Sequence, residues 1–235
     1  MKYSIVIPFK NEEANVEALL NEIEAVMTPL QAPFETIAVE DGSDDQTLEI
    51  LSRIKKETPW LRILKFSRNF GQSSAFDAGF KAAKGEFVIT LDGDRQNDPA
   101  DIPKLLRLIE DADLVCGIRK KRKDTLVKRV TSKVANFVRS RLCEDGVSDT
   151  GCSLKVYRKT CLEKIKLFNG MHRFLPALFV IEGFKVKEIP VNHRERAGGV
   201  TKYNFFNRSF NTIADLFAVR WMKNRRLKWQ MEELP

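Results

Sequence analysis

The chain alternates between two hydrophobic rhythms. Short apolar, β-branched runs at 3–8, 34–39, 61–66, 86–91 and 112–117 have the length and composition of buried strands. Between them apolar residues recur at helical spacing. Val16, Leu19, Leu20 and Ile23 mark a helix over 12–27, and further helices fall at 44–56 (with Asp44 as N-cap), 72–83 and 99–109. This order predicts an α/β fold: a mostly parallel central sheet with helices on both faces. Beyond residue 119 the rhythm changes. A basic helix over about 126–142 leads to a loop at 145–151, a short strand near 153–157, helices near 159–164 and 173–182, and a strand at 185–190. A polar loop at 192–202 then precedes a last, amphipathic helix over 203–222, with Phe206, Phe210, Ile213, Phe217 and Trp221 at helical spacing. An aromatic stripe of this kind is expected mainly to pack inward, with Trp221 and the basic tail reaching towards lipid headgroups.

Composition narrows the picture. A chain of 235 residues, 43% hydrophobic and 31% charged, fits one α/β domain with a C-terminal extension. No run approaches the roughly 18 apolar residues of a spanning helix, and the N-terminus reads as a strand without signal-peptide features. Any work at a membrane is therefore expected from its surface. The formal net charge of +8 is concentrated in 119–141 and again around Arg220, Lys223, Arg225, Arg226 and Lys228. That density points to an anionic partner: nucleic acid, anionic lipid or a phosphorylated substrate. Cys116, Cys143, Cys152 and Cys161 show no metal-binding spacing and are expected as reduced thiols of a cytosolic protein.

Three predicted strand ends carry the chemistry. The first reads Ile7-Pro8-Phe9-Lys10-Asn11-Glu12, where proline closes the strand and Glu12 favours the positive end of a helix. The second, Val39-Glu40-Asp41-Gly42-Ser43-Asp44, brings acids to a glycine turn, where a carboxylate can accept bonds from a base or ribose. The third, Asp92-Gly93-Asp94-Arg95-Gln96, sets two carboxylates one residue apart at the rim of the sheet. They repel unless a cation joins them, and hard oxygen ligands suit Mg²⁺ or Mn²⁺. Taken alone, the third motif is equally an acidic turn. Neither a G-x-G-x-x-G nor a Walker A motif is present, which disfavours NAD-binding and P-loop folds.

Together these motifs resemble those of family-2 glycosyltransferases of GT-A fold, a Rossmann-like architecture. The second half narrows the likeness to the polyprenyl-phosphate, dolichol-phosphate mannose synthase-like group. Gly117-Ile118-Arg119 is similar to its Gly-x-Arg, and the run Lys128-Arg129-Val130-Thr131-Ser132 to its basic acceptor helix. Asp149-Thr150-Gly151 continuing to Lys155-Val156-Tyr157-Arg158, and Arg196 followed by Gly199-Val200-Thr201-Lys202, resemble two further segments of the group. The resemblance implies a catalytic domain over 1–202 and a membrane-associated helix and tail over 203–235. It implies donor-nucleotide contacts from Pro8, Lys10, Glu12, Val39, Asp41, Asp92 and Gly93, and metal binding by Asp92, Asp94 and Gln96. It assigns acceptor phosphate to Arg119, Arg129, Ser132, Arg196 and Lys202, and catalytic roles to Asp94, Arg119 and Asp149. Glu40, Lys10 and Lys155 depart from the usual residues, leaving the nucleobase open.

The implied reaction is inverting transfer from a nucleotide-diphosphate sugar, of GDP-mannose or UDP-hexose type, to a dolichyl or undecaprenyl phosphate. It would be metal-dependent and peripheral at the cytoplasmic face of a membrane, with a membrane-protein partner among the expectations and nucleic acid excluded. An acceptor phosphate is already anionic, so Asp149 is expected to orient rather than to deprotonate. With a hydroxyl acceptor, as in cell-envelope glycan synthesis, Asp149 would become the base. A basic nucleic-acid-binding protein is the non-enzymatic alternative, but acids at three strand ends would repel a phosphate backbone. His193 is expected to be structural and His172 a satisfied polar contact.

Overall fold

The computed structural model describes residues 1–119, 146–195 and 205–227, the last with side chains from 212 onward. Among the described residues, seven strands form one sheet: β1 (Tyr3–Phe9), β2 (Phe34–Glu40), β3 (Leu61–Lys65), β4 (Phe87–Thr90), β5 (Leu114–Arg119), β6 (Lys155–Arg158) and β7 (Val186–Val191). Their spatial order is β3-β2-β1-β4-β6-β5-β7. All pairings are parallel except those of β6, which runs antiparallel to both β4 and β5. The helices are α1 (Val16–Met27), α2 (Thr47–Lys55), α3 (Gln72–Ala82), α4 (Ile102–Leu108), α5 (Lys159–Leu162), α6 (Leu175–Ile181) and α7 (Phe205–Asn224). The α/β class is as predicted.

Period-two alternation along the strands divides the core into two layers. In β1, Ile5, Ile7 and Phe9 face a layer containing Leu19, Leu20 and Ile23 of α1, Leu51 of α2 and Leu105 of α4. Val6 faces the other layer, with Phe76 and Phe80 of α3, Leu178 of α6, and Leu216 and Val219 of α7. Each fully buried Ile or Phe of β1 contributes about 1.5–3 kcal/mol. The helix α3 lies so close to β1 that a Cβ on Gly79 would fall 2.2 Å from Val6 Cγ1.

Several predicted boundaries move, each for a physical reason. Strand β1 continues through Pro8 to Phe9 because its pairing with β2 persists to Phe9↔Glu40. Pairing with β4 ends at Val6↔Thr90, so the missing proline N–H interrupts no ladder. Helix α1 starts at Val16 rather than residue 12, and α2 at Thr47 rather than Asp44. Asp44 is not the N-cap: its carboxylate pairs with Lys10 Nζ at 2.7 Å, while Asp45 Oδ1 accepts from Thr47 N–H at 3.0 Å. The inward-packing stripe is also corrected. Ile213 and Phe217 are 53% and 60% exposed, and α7 packs through Leu216 and Val219 instead; Trp221, 63% exposed, faces outward as expected. Phe206 and Phe210 lie outside the described side chains, as does the predicted basic helix over 126–142. Among the described residues Cys116, Cys152 and Cys161 are buried free thiols, and no helix is long and apolar enough to cross a membrane.

Candidate active site at the strand ends

A cleft of about 740 Å³ opens at the carboxyl ends of β1, β2 and β4, where an open α/β sheet binds ligands. It brings together Pro8, Lys10, Glu12, Asp41, Asp92, Gly93, Asp94, Gln96 and Arg119. Val39 is fully buried in β2 and packs among the core side chains rather than lining the cleft. Arg129, Ser132, Arg196 and Lys202 lie outside the described residues.

The first two strand-end loops are laced to each other. Asn11 Oδ1 accepts from Asp44 N–H at 2.8 Å, Asn11 N–H donates to Ser43 Oγ at 3.0 Å, and Glu12 N–H to Thr47 Oγ1 at 2.8 Å. Asn11 adopts φ 50°, in the left-handed region that Asn tolerates better than most residues. Lys10 Nζ donates to Gly42 O as well as pairing with Asp44. Asp41, 4% exposed, accepts the backbone N–H groups of Phe70 and Gly71 at 2.7 and 2.9 Å, fixing the turn that leads into α3.

The third loop is built differently. Gly93 lies against β1, where a Cβ would sit 2.8 Å from the Phe9 ring. This close approach keeps Asp92 and Asp94 at the cleft floor. Asp92 Oδ1 accepts from Gln72 Nε2 at 2.8 Å, and Asp94 Oδ1 from Gln96 N–H at 3.1 Å. Burial first, then the charge of Asp94, pushes the Asp92 carboxyl up to about 6, against partial relief from Ser153, Lys155 and Arg119. A carboxylate pair left with this unfavourable balance fits a divalent cation. No group of three His, Cys, Asp or Glu side chains converges among the described residues. Two carboxylates and the Gln96 amide suit a cation that also takes substrate phosphate oxygens and water, as Mg²⁺ does.

Across the cleft floor, Arg119 and Asp149 form a two-point pair. Nε donates to Oδ2 and Nη2 to Oδ1, both at 2.7 Å, and Arg119 N–H adds a bond to Oδ2 at 3.2 Å. Burial disfavours the Arg119 cation, but Asp149, with Cys152 and Asp92 adding to it, raises its pKa above the ordinary value. Gly151 N–H reaches Asp149 Oδ1 at 3.1 Å, and a Cβ on Gly151 would meet Arg119 Nη2 at 2.7 Å. The guanidinium thus sits close to Gly151 with one edge committed to Asp149. Asp149 itself is 8% exposed and lies behind Arg119 instead of lining the cleft.

Sequence reasoning missed three contributors to this site. Gln72 holds Asp92, buried Lys155 donates to the carbonyls of Thr150 and Cys152, and Ser73 bonds His172 Nδ1 at 2.8 Å on the cleft wall. The last bond makes His172 the satisfied polar contact expected of it. The departure at residue 155 was the one available signal for Lys155; nothing local marks Gln72.

A parallel-dominated sheet with acids at its strand ends and a carboxylate-bearing loop beside an arginine defines an open α/β fold with its ligand cleft at the carboxyl ends of the strands. The chain belongs to the glycosyl transferase family 2, whose family model matches residues 4–166. It is 40% identical over 225 residues to dodecaprenyl-phosphate galacturonate synthase of Rhizobium johnstonii, covering 93% of this chain and 66% of that protein. It is 37% identical over 218 residues to undecaprenyl-phosphate 4-deoxy-4-formamido-L-arabinose transferase of Pseudomonas fluorescens, covering 92% of this chain and 64% of the relative. The chain therefore spans about two thirds of the length of these curated relatives. Among solved structures, glucosyl-3-phosphoglycerate synthase from Mycobacterium tuberculosis with Mn²⁺, UDP and glucosyl-3-phosphoglycerate superposes with TM-score 0.68. That match has 18% identity and covers 94% of this chain and 79% of the other. S. aureus TarS with UDP-GlcNAc gives TM-score 0.63 at 19% identity, over 94% and 66% of the two chains. The fold is GT-A.

Proposed function

We propose that this protein transfers a sugar from a nucleotide-diphosphate sugar to a polyprenyl phosphate. The observation that carries the reading is the Arg119–Asp149 pair beside Asp92 and Asp94 at one cleft floor: a fixed cation for an incoming phosphate opposite a carboxylate pair that calls for a metal. The names of the relatives, both polyprenyl-phosphate enzymes, support the acceptor class.

In this reading Pro8, Lys10, Glu12 and Asp41 form the nucleotide end of the cleft. Asp92, Asp94 and Gln96 would hold a Mg²⁺ or Mn²⁺, which would supply positive charge to the departing diphosphate. Arg119 holds the acceptor phosphate in line for attack on the anomeric carbon, and the anionic acceptor needs no base. Arg129, Ser132, Arg196 and Lys202 join it on the strength of the family resemblance. Asp149 orients Arg119. The hydroxyl-acceptor alternative, which needs Asp149 as base, is disfavoured because both its oxygens already receive Arg119.

Residues 1–202 form the catalytic domain, and residues 203–235 carry the contact with a membrane surface on its cytoplasmic side. The exposed Ile213, Phe217 and Trp221 form an apolar face of α7, with Arg220 next to it along the helix, suited to an anionic interface. The test is transfer of radiolabelled sugar from a panel of GDP- and UDP-sugars, with Mn²⁺, into extracted membrane lipid. One donor is expected to label a phosphate-linked lipid, and Asp94→Asn to cut the rate by about 10²–10³-fold. Oligonucleotide binding without labelling under every donor would overturn the reading.

A further inference from the structure

The loop that carries the metal candidates is held from outside by a charged cluster to which no role has yet been given. Arg95, between Asp94 and Gln96, sits at φ 59°, the left-handed region that a long side chain rarely adopts. Its Nε is buried without a hydrogen-bond partner, yet its Nη2 reaches Glu22 Oε1 on α1 at 2.5 Å. The other oxygen of Glu22 takes Arg194 Nη1 at 2.6 Å, and Arg194 Nη2 reaches Asp98 Oδ1 at 2.7 Å. Arg194 also acts through its backbone. Its N–H donates to Gln96 O at 2.9 Å, beside an isolated antiparallel bridge between Asn97 and His193. Gln96 is thus pinned on both sides, by Asp94 through its N–H and by Arg194 through its carbonyl. Two residues before Arg194, Asn192 N–H donates to Asp101 Oδ2 at 2.5 Å.

We propose that Glu22 is a positioning residue for the cation site, a two-armed carboxylate that locks the 92–98 loop to the chain leading into Arg196. Bridging Arg95 and Arg194, it keeps a strained backbone in the one conformation that presents Asp92, Asp94 and Gln96 together. Through Arg194 it sets the register between that loop and the segment that enters residue 196. Separation of the two arginines would let Arg95 relax from positive φ and turn Gln96 away. Glu22 lies on α1 rather than in the cleft, so its effect is on geometry and not on substrate contact.

This inference rests on the metal-dependent reading of the site, and its test reads cation affinity directly. Mn²⁺ binding to the full chain, without substrate, is titrated by electron paramagnetic resonance for the parent and for Glu22→Ala, Glu22→Gln and Glu17→Ala. Glu17 pairs with Arg53 on the exposed side of the same helix, remote from the loop, and serves as the control. Glu22→Ala is expected to weaken Mn²⁺ binding by about tenfold, as loss of a ligand-orienting partner does, with Glu22→Gln intermediate and Glu17→Ala unchanged. Glu22→Gln preserves size and supplies the reading if the alanine variant does not fold. Mn²⁺ affinities within twofold of the parent, alongside a lowered melting temperature, would make Glu22 merely structural and overturn the proposal. Failure of the parent to bind Mn²⁺ both alone and with UDP or GDP added would instead sink the metal-dependent reading itself.

Discussion

The two ends of the cleft use the same kinds of residue for opposite purposes. At the end formed by the loops after β1 and β2, Asn11, Ser43, Asp44, Asp45 and Thr47 satisfy one another or nearby backbone groups, and Asp41 is occupied by two amides. Their polarity joins two loops into one surface. At the end formed by the loops after β4 and β5, Asp92 is charged only against burial and a like-charged neighbour, and Arg119, paired with its carboxylate, lines the cleft. Acids that look alike in sequence are thus adhesive in one place and poised for chemistry in the other. The difference lies in whether folding has already supplied their counterpart.

That contrast can be broken most forcefully at the Arg119–Asp149 pair. Removing one partner leaves a largely buried charge unmatched, so Arg119→Ala is expected to cost about 3–5 kcal/mol in denaturant unfolding. Exchanging both for apolar residues of similar volume should recover most of that loss. Asp44→Asn, at the other end and 82% exposed, should leave the unfolding midpoint in place. An equal response from the two sites would erase the distinction.

Acid provides a smaller lever. The Asp92 carboxyl titrates near 6 in the folded protein against an ordinary 3.8, so the folded form binds its proton more tightly than the unfolded chain. Stability of the metal-free protein therefore falls as pH rises from about 4 to about 6 and then levels. A cation must displace that proton, so Mn²⁺ affinity is expected to drop by about tenfold for each pH unit below 6. Titration at pH 5 and pH 7 checks it; a flat profile would mean that Asp92 already carries its charge without strain. The smallest effect belongs to the laced loops. Asn11→Ala should cost about 1 kcal/mol of stability and leave Mn²⁺ affinity unaltered, measured by thermal unfolding and the same titration.

How much of this was legible in the chain follows from the range of each interaction. The parallel β1–β4 framework was, because period-two alternation and helical spacing are local. The rim acids were, because strand ends and charged turns are adjacent in sequence. The direction of β6 was not, since alternation is identical in a strand read either way. Asp44 looked like a cap because capping is judged from a few neighbours, whereas its partner Lys10 lies 34 residues away. The clamp at Glu22 spans 172 residues to Arg194, beyond any local pattern. For α7, spacing revealed a stripe but not which side of the helix the core would claim. Leu216 and Val219 took that place and left the larger aromatic face outward.

The reversed β6 has a consequence for how this rim could be remodelled. In a parallel strand the outgoing connection borders the ligand; turning one strand round hands that position to the incoming connection. Residues 150–153, which lead into β6, therefore border the cleft, while the chain leaving Arg158 emerges at the opposite end of the sheet. Insertions upstream of Lys155 would alter what the protein grips. Insertions just after Arg158 would leave the grip alone.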